Sequence, residues 1–156
     1  MKRIVTLALA MAVIAAFGAA ADKPNFSGDW TVDLTKSDFG PIPPPSGMTR
    51  KVDHKDPAVT VVETQTGGPQ GDMTVTSKYS TDGKETTNEM MGSQTKSTAK
   101  WDGSALVVAT NADFQGTAIT LTDKWTLSDD GKVTTIARHI ATGQGDFDLV
   151  YVLNKK

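Results

Sequence analysis

Three Asp-Gly pairs constrain this chain most: Asp82-Gly83, Asp102-Gly103 and Asp130-Gly131 each separate two runs of alternating apolar and polar residues. A two-residue type I′ turn needs positive φ at both central positions, and Asp-Gly meets that need at low cost. The chain therefore reads as a series of antiparallel hairpins, and each turn fixes which residues face one another across its two strands.

Counting outward from Asp130-Gly131 sets Leu127 opposite Thr134, Trp125 opposite Ile136, Asp123 opposite Arg138 and Leu121 opposite Ile140. Lys124, Thr126, Thr135 and His139 fall on the other, solvent-facing side. An acid and a base thus oppose each other in the middle of an apolar face. From Asp82-Gly83 the count sets Tyr79 opposite Thr86, Ser77 opposite Asn88 and Val75 opposite Met90. From Asp102-Gly103 it sets Ala99 opposite Leu106 and Ser97 opposite Val108.

The rest of the chain extends the pattern. Phe26, Gly28, Trp30, Val32 and Leu34 alternate with polar residues, as a half-buried strand does. Further strands are expected over residues 48–54, 58–65, 73–80, 85–91, 94–101, 105–110, 116–128, 132–142 and 147–153. No stretch carries a 3.6-residue period. Residues 35–47, with Pro41, Pro43, Pro44 and Pro45, cannot form a helix or a central strand. They read as a plain connector or as a flap over an opening that uses Phe39 and Ile42. The fold class is all-β, an antiparallel up-and-down meander closed into a barrel, since closure removes exposed edges.

The N-terminus stands apart. Lys2 and Arg3 precede an apolar run over residues 4–16, which small residues then end. This is the pattern of a secretory signal peptide over residues 1–21; a membrane span of about 20 residues needs a longer run. A single domain over residues 22–156 follows, expected to be periplasmic or secreted and monomeric. Without Lys2 and Arg3, 14 basic and 18 acidic residues remain, a net charge near −4, and no basic stripe offers a nucleic-acid surface. The chain has no cysteine, so its own core must hold the exported fold together.

The expected inner face mixes Trp125, Ile136, Val75 and Met90 with Ser77, Asn88, Asp123 and Arg138. Unpaired polar groups in a solid core cost about 1–3 kcal/mol each, so such a face suits an interior that holds water or a ligand. The candidate ligand-binding residues are Arg138, Asp123, Tyr79, Trp125, Ser77 and Asn88. For Asp123 and Arg138 two roles stay open: a cross-strand structural pair, or an Arg138 whose planar fork holds an acidic group of a ligand.

The opening Asn25-Phe-Ser-Gly-Asp-Trp30 resembles the Phe-x-Gly-x-Trp start of the calycins, the lipocalins and intracellular fatty-acid-binding proteins. Residues 95–108, a Lys-Ser-Thr strand, an Asp-Gly turn and a Leu-Val strand, are similar to a hairpin of the fatty-acid-binding branch. The resemblance implies a calycin-like barrel of about 8–10 strands with an internal cavity, Gly28 and Trp30 as packing residues at its closed end, and a small hydrophobic or amphipathic ligand. That branch places a helical pair between its first two strands, where this chain has its prolines. It also ends with an Arg-x-Tyr motif; here Tyr151 is present but residue 149 is leucine.

No catalytic residue is expected: the chain lacks a cysteine nucleophile, a Gly-x-Ser-x-Gly elbow and a glycine-rich phosphate loop. No cofactor or metal is expected either. His54, in the charged run Asp53-His54-Lys55-Asp56, reads as solvated, and residues 111–122 lack the final glutamate of a calcium loop. Two functions follow. One is binding of a small, partly apolar molecule in a cavity of about 300 Å³ or more, lined by Trp125, Ile136, Tyr79 and Arg138. The other is a packed envelope domain with an exposed apolar patch at Phe39, Ile42 and Met48.

Overall fold

The computed structural model describes residues 23–69 and 71–156. The expected signal peptide over residues 1–21 lies outside the described residues. Ten strands follow in order: β1 Gly28–Val32, β2 Gly47–Lys55, β3 Ala58–Gly68, β4 Gly71–Ser80, β5 Thr86–Met90, β6 Ser93–Asp102, β7 Ala105–Phe114, β8 Thr117–Leu127, β9 Val133–Thr142 and β10 Gly145–Lys155. All pair antiparallel in one sheet, in the order β4-β3-β2-β1-β10-β9-β8-β7-β6-β5. The first strand pairs with the last, so the meander curls into a nearly closed barrel with a single seam, between β4 and β5.

The seam overturns the expected Ser77–Asn88, Tyr79–Thr86 and Val75–Met90 ladder. At Asp82-Gly83 the chain does not fold back as a hairpin. Asp82 bridges to Lys100 and the Gly83 N–H donates to the Ala99 carbonyl at 3.0 Å, so this segment is drawn onto β6. One side chain spans the gap instead: the Asn88 amide accepts from the Lys78 N–H at 2.6 Å and donates to the Lys78 carbonyl at 3.0 Å. It serves as one rung of a ladder the backbones do not make.

The other two Asp-Gly pairs turn the chain, though neither forms a type I′ turn, because neither aspartate has positive φ. At Asp102-Gly103 the two loop residues are Gly103 and Ser104, with Asp102 opposite Ala105. Glycine in the first loop position (φ 60°) is the type II′ pattern. Ala99 therefore faces Val108 instead of Leu106, a slip of two residues that leaves every side chain on its expected face. At Asp130-Gly131 the loop is two residues longer, closed by Gly131 N–H to Ser128 O and Ser128 N–H to Val133 O, both 2.8 Å. An even extension keeps the register, and Trp125–Ile136, Asp123–Arg138 and Leu121–Ile140 pair as expected. Two-residue loops with positive φ at both positions occur instead at Met91-Gly92 (53° and 76°) and Gln115-Gly116 (55° and 85°).

One end of the barrel is closed by aromatic packing. Trp30 is 2 % exposed and its indole N–H donates to the Phe26 carbonyl at 3.0 Å. Phe26 meets Trp125 edge-on at 5.7 Å between centroids. Gly28, at φ 143°, lets the Lys155 stem cross the strand: a Cβ there would lie 2.8 Å from Lys155 Cε, and the Lys155 ammonium sits 5.3 Å above the Trp30 ring. β1 stops at Val32, where Asp33 begins a turn, so Leu34 is exposed instead of joining the buried face. His54, expected in solvent, is 4 % exposed. Phe26 and Trp101 stack on its ring, and its Nδ1 accepts from the Phe26 N–H at 3.3 Å.

At the other end, residues 35–47 fold over the opening. Asp38 exchanges both backbone hydrogen bonds with Val150 at 2.8 Å. Ser37 Oγ accepts from the Val152 N–H at 3.0 Å. Thus anchored to β10, the segment turns Phe39 and Ile42 inward against the core. Phe39 lies 5.5 Å from the Tyr151 ring. The proline-rich stretch is a flap, and the exposed patch expected at Phe39, Ile42 and Met48 is absent: Met48 is 2 % exposed.

Candidate binding chamber

Strand alternation sends Arg50 and Glu63 into the barrel from β2 and β3, where they face each other across the ladder. Asp123 and Arg138 do the same from β8 and β9. Arg50 Nε donates to Glu63 Oε2 at 2.5 Å, and the second oxygen, Oε1, accepts from Gln65 Nε2 at 2.8 Å. Arg138 engages Asp123 with two parallel bonds, Nε to Oδ1 at 2.6 Å and Nη2 to Oδ2 at 2.7 Å. This bidentate geometry is the strongest form of the pair. Each guanidinium also lies on an aromatic face, Arg50 on Trp125 and Arg138 on Tyr151, both at 5.4 Å.

The electrostatics follow. Burial works against ionisation of Glu63, yet the charges of Arg50 and Arg138 and the bonds from Gln65 and Arg50 hold its carboxyl below the usual range. Burial likewise works against the Arg138 cation, and the Asp123 charge and hydrogen bonds more than offset it. The Tyr79 and Tyr151 hydroxyls are pushed up, first by burial, and stay protonated at neutral pH.

These groups surround two spaces. An inner chamber of about 50 Å³ is lined by Arg50, Glu63, Ser77, Tyr79, Trp125 and Arg138 together with Val61, Val75 and Met90. A larger space of about 290 Å³ lies under the flap, with Phe39, Ile42, Pro43, Ile140 and Leu149 among its walls, and Arg138 and Tyr151 reach it too. Arg138 is a wall of both. The single pocket expected along Trp125, Ile136, Tyr79 and Arg138 is therefore divided. Ile136 borders a gap of about 10 Å³ beneath Arg50, near the lower limit for one water. The Arg50–Glu63 pair takes up interior volume, and the open space shifts towards the flap.

Of the six candidate residues, Arg138, Tyr79, Trp125 and Ser77 line the inner chamber and Asp123 holds Arg138. Asn88 is committed to Lys78 at the seam and lines an outer groove. Arg50 and Glu63 of the inner chamber, and Tyr151, which borders the space under the flap, fall outside the candidate set. The signal for the first two was present, because counting outward from the Asp56-Pro57 loop sets Arg50 opposite Glu63. Among the described residues, no group of three or more His, Cys, Asp or Glu side chains could hold a metal ion.

No family model matches the chain, and no curated protein matches it in sequence. Solved structures match in shape. Zebrafish ileal bile acid-binding protein, complexed with cholic acid, aligns with a TM-score of 0.60 and 18 % identity, over 84 % of this chain and 98 % of that one. A secretory abundant heat soluble protein of Ramazzottius varieornatus aligns at 0.55 and 12 % identity, over 83 % and 94 %. A variant of the fluorescent protein UnaG aligns at 0.54 and 19 %, over 83 % and 95 %. At these identities the likeness is one of fold, and the fold is a calycin-like barrel.

Proposed function

We propose that this protein is an exported, lipocalin-like carrier that binds a small, partly apolar molecule with its apolar part under the flap and its polar part towards Arg138. The observation that carries this reading is the division of the interior. A largely apolar space of about 290 Å³, close to the lower end of known ligand pockets, ends on Arg138 and Tyr151. Beyond them lies a small polar chamber. A packed structural barrel has no need of an inward-turned flap above an open space. The bile acid-binding protein, a barrel of the same shape, holds cholic acid, which supports binding over catalysis. Export rests on the signal-peptide pattern of residues 1–21 and is checked by the N-terminal mass of the secreted chain.

Mass spectrometry of small molecules that co-purify with the native protein, followed by titration of the tryptophan fluorescence with them, tests the binding role. A stoichiometric amphiphile that shifts the emission is the expected result. A protein that carries nothing, and whose emission no lipophilic compound alters, would leave the packed-domain reading in its place.

A further inference from the structure

The chamber's hydrogen-bond inventory is uneven. All four carboxylate oxygens have partners: Glu63 is held by Arg50 and Gln65, and Asp123 by Arg138 twice. On the donor side, Arg50 is 5 % exposed and its buried Nη1 has no partner among the described residues. The Tyr79 hydroxyl, within hydrogen-bonding reach of Ser77, and the Tyr151 hydroxyl, which borders the space under the flap, are kept protonated by burial. A ligand is thus asked for an acceptor atom. It is not asked for a charge, because two arginines and two carboxylates already sum to zero.

We propose, resting on the binding role above, that the ligand's polar end is a neutral oxygen acceptor such as a hydroxyl, amide or ketone group, and that the barrel discriminates against free carboxylates. An anion approaching Arg138 meets the Asp123 carboxylate already on its fork, and Glu63 lines the same chamber. Removing a carboxylate from water costs several kcal/mol, and only an uncompensated cation of good geometry offsets that. Two neutralised pairs act on the newcomer as dipoles, which favour an oriented neutral acceptor and leave an anion desolvated and unbalanced. A neutral oxygen needs only the donors that stand ready. The internal carboxylates therefore act as specificity determinants, occupying the places an acidic ligand would take.

Calorimetric titration of the purified protein with decan-1-ol, decanamide and decanoate, at a pH where the acid is ionised, separates the outcomes. The neutral compounds are expected to bind at least about tenfold more tightly than decanoate, the ratio that 1.4 kcal/mol confers. Any smaller preference, or one for decanoate, overturns the inference while leaving the carrier role intact. Failure of all three to bind, together with an absence of any co-purified molecule, removes the carrier role itself. Asp123→Asn and Glu63→Gln, each of which adds one net positive charge to the chamber, are expected to narrow or invert the ratio. An unchanged ratio in folded variants also counts against the inference, and the wild-type comparison decides the question if both variants fail to fold.

Discussion

The closed end and the flap end of this barrel are built from the same strands and follow opposite rules. Around Phe26 and Trp30 the aromatic rings interlock, and the space left is about 10 Å³. Under Phe39 and Ile42 it is about 290 Å³, and the covering segment is a proline-rich strap held by hydrogen bonds at its start. Between the two lie the paired arginines. The contrast shows how a barrel keeps stability and accessibility apart. Close packing at one end supplies the burial that a loosely covered cavity at the other end forgoes.

Changes at the closed end should weigh most on stability. Trp30→Ala should lower unfolding free energy by about 3–5 kcal/mol, as large-to-small changes of buried aromatics do; urea denaturation measures it, and a loss no larger than that of a flap variant would erase the distinction between the ends. Asp123→Ala should follow at about 3 kcal/mol, the lower end for breaking a buried pair, since Arg138 keeps some exposure. Phe39→Ala, at the flap, should cost only about 1–2 kcal/mol yet weaken ligand binding by more than the closed-end changes do, which titration of both variants would show.

Acid should act through the chamber. Glu63 titrates lower in the folded chain than its ordinary 4.5, so the unfolded chain binds its proton first as pH falls. Its stabilising contribution is complete above the ordinary glutamate range and is lost as pH drops through the folded value. A midpoint-against-pH profile should fall there, and Glu63→Gln should flatten that limb. The smallest effect is expected at the rim. Met91 is 53 % exposed and sits at positive φ, where side chains other than glycine or asparagine are strained. Met91→Gly should therefore raise the thermal midpoint slightly, by about 0.5–1 kcal/mol in stability; a drop would mean that the methionine's contacts under the flap outweigh its backbone strain.

The meander, its strands and the Asp123–Arg138 pair were legible because alternation and even-numbered loops carry their own register. Lengthening the Asp130-Gly131 loop by two residues left the pair in place, whereas an odd change would have moved it to the surface. The second pair was hidden by its surroundings. Asp53-His54-Lys55-Asp56 looks like a solvated strand end, and only Phe26 and Trp101, remote in sequence, turn His54 into a core residue. The seam was illegible for a different reason: β4 and β5 carry the same alternation whether they pair or part. The division of the cavity depends on how four long side chains fold against each other, which no local pattern encodes.

The Asn88 rung carries a consequence for the ageing of the protein. A backbone ladder is chemically durable, but a side-chain amide can hydrolyse, and here that reaction would replace the group donating to the Lys78 carbonyl with a second acceptor. One bond of the rung would remain and the other would become a repulsion. This side-chain stitch of the seam would then loosen, so the age of a preparation would be written in the gap between β4 and β5.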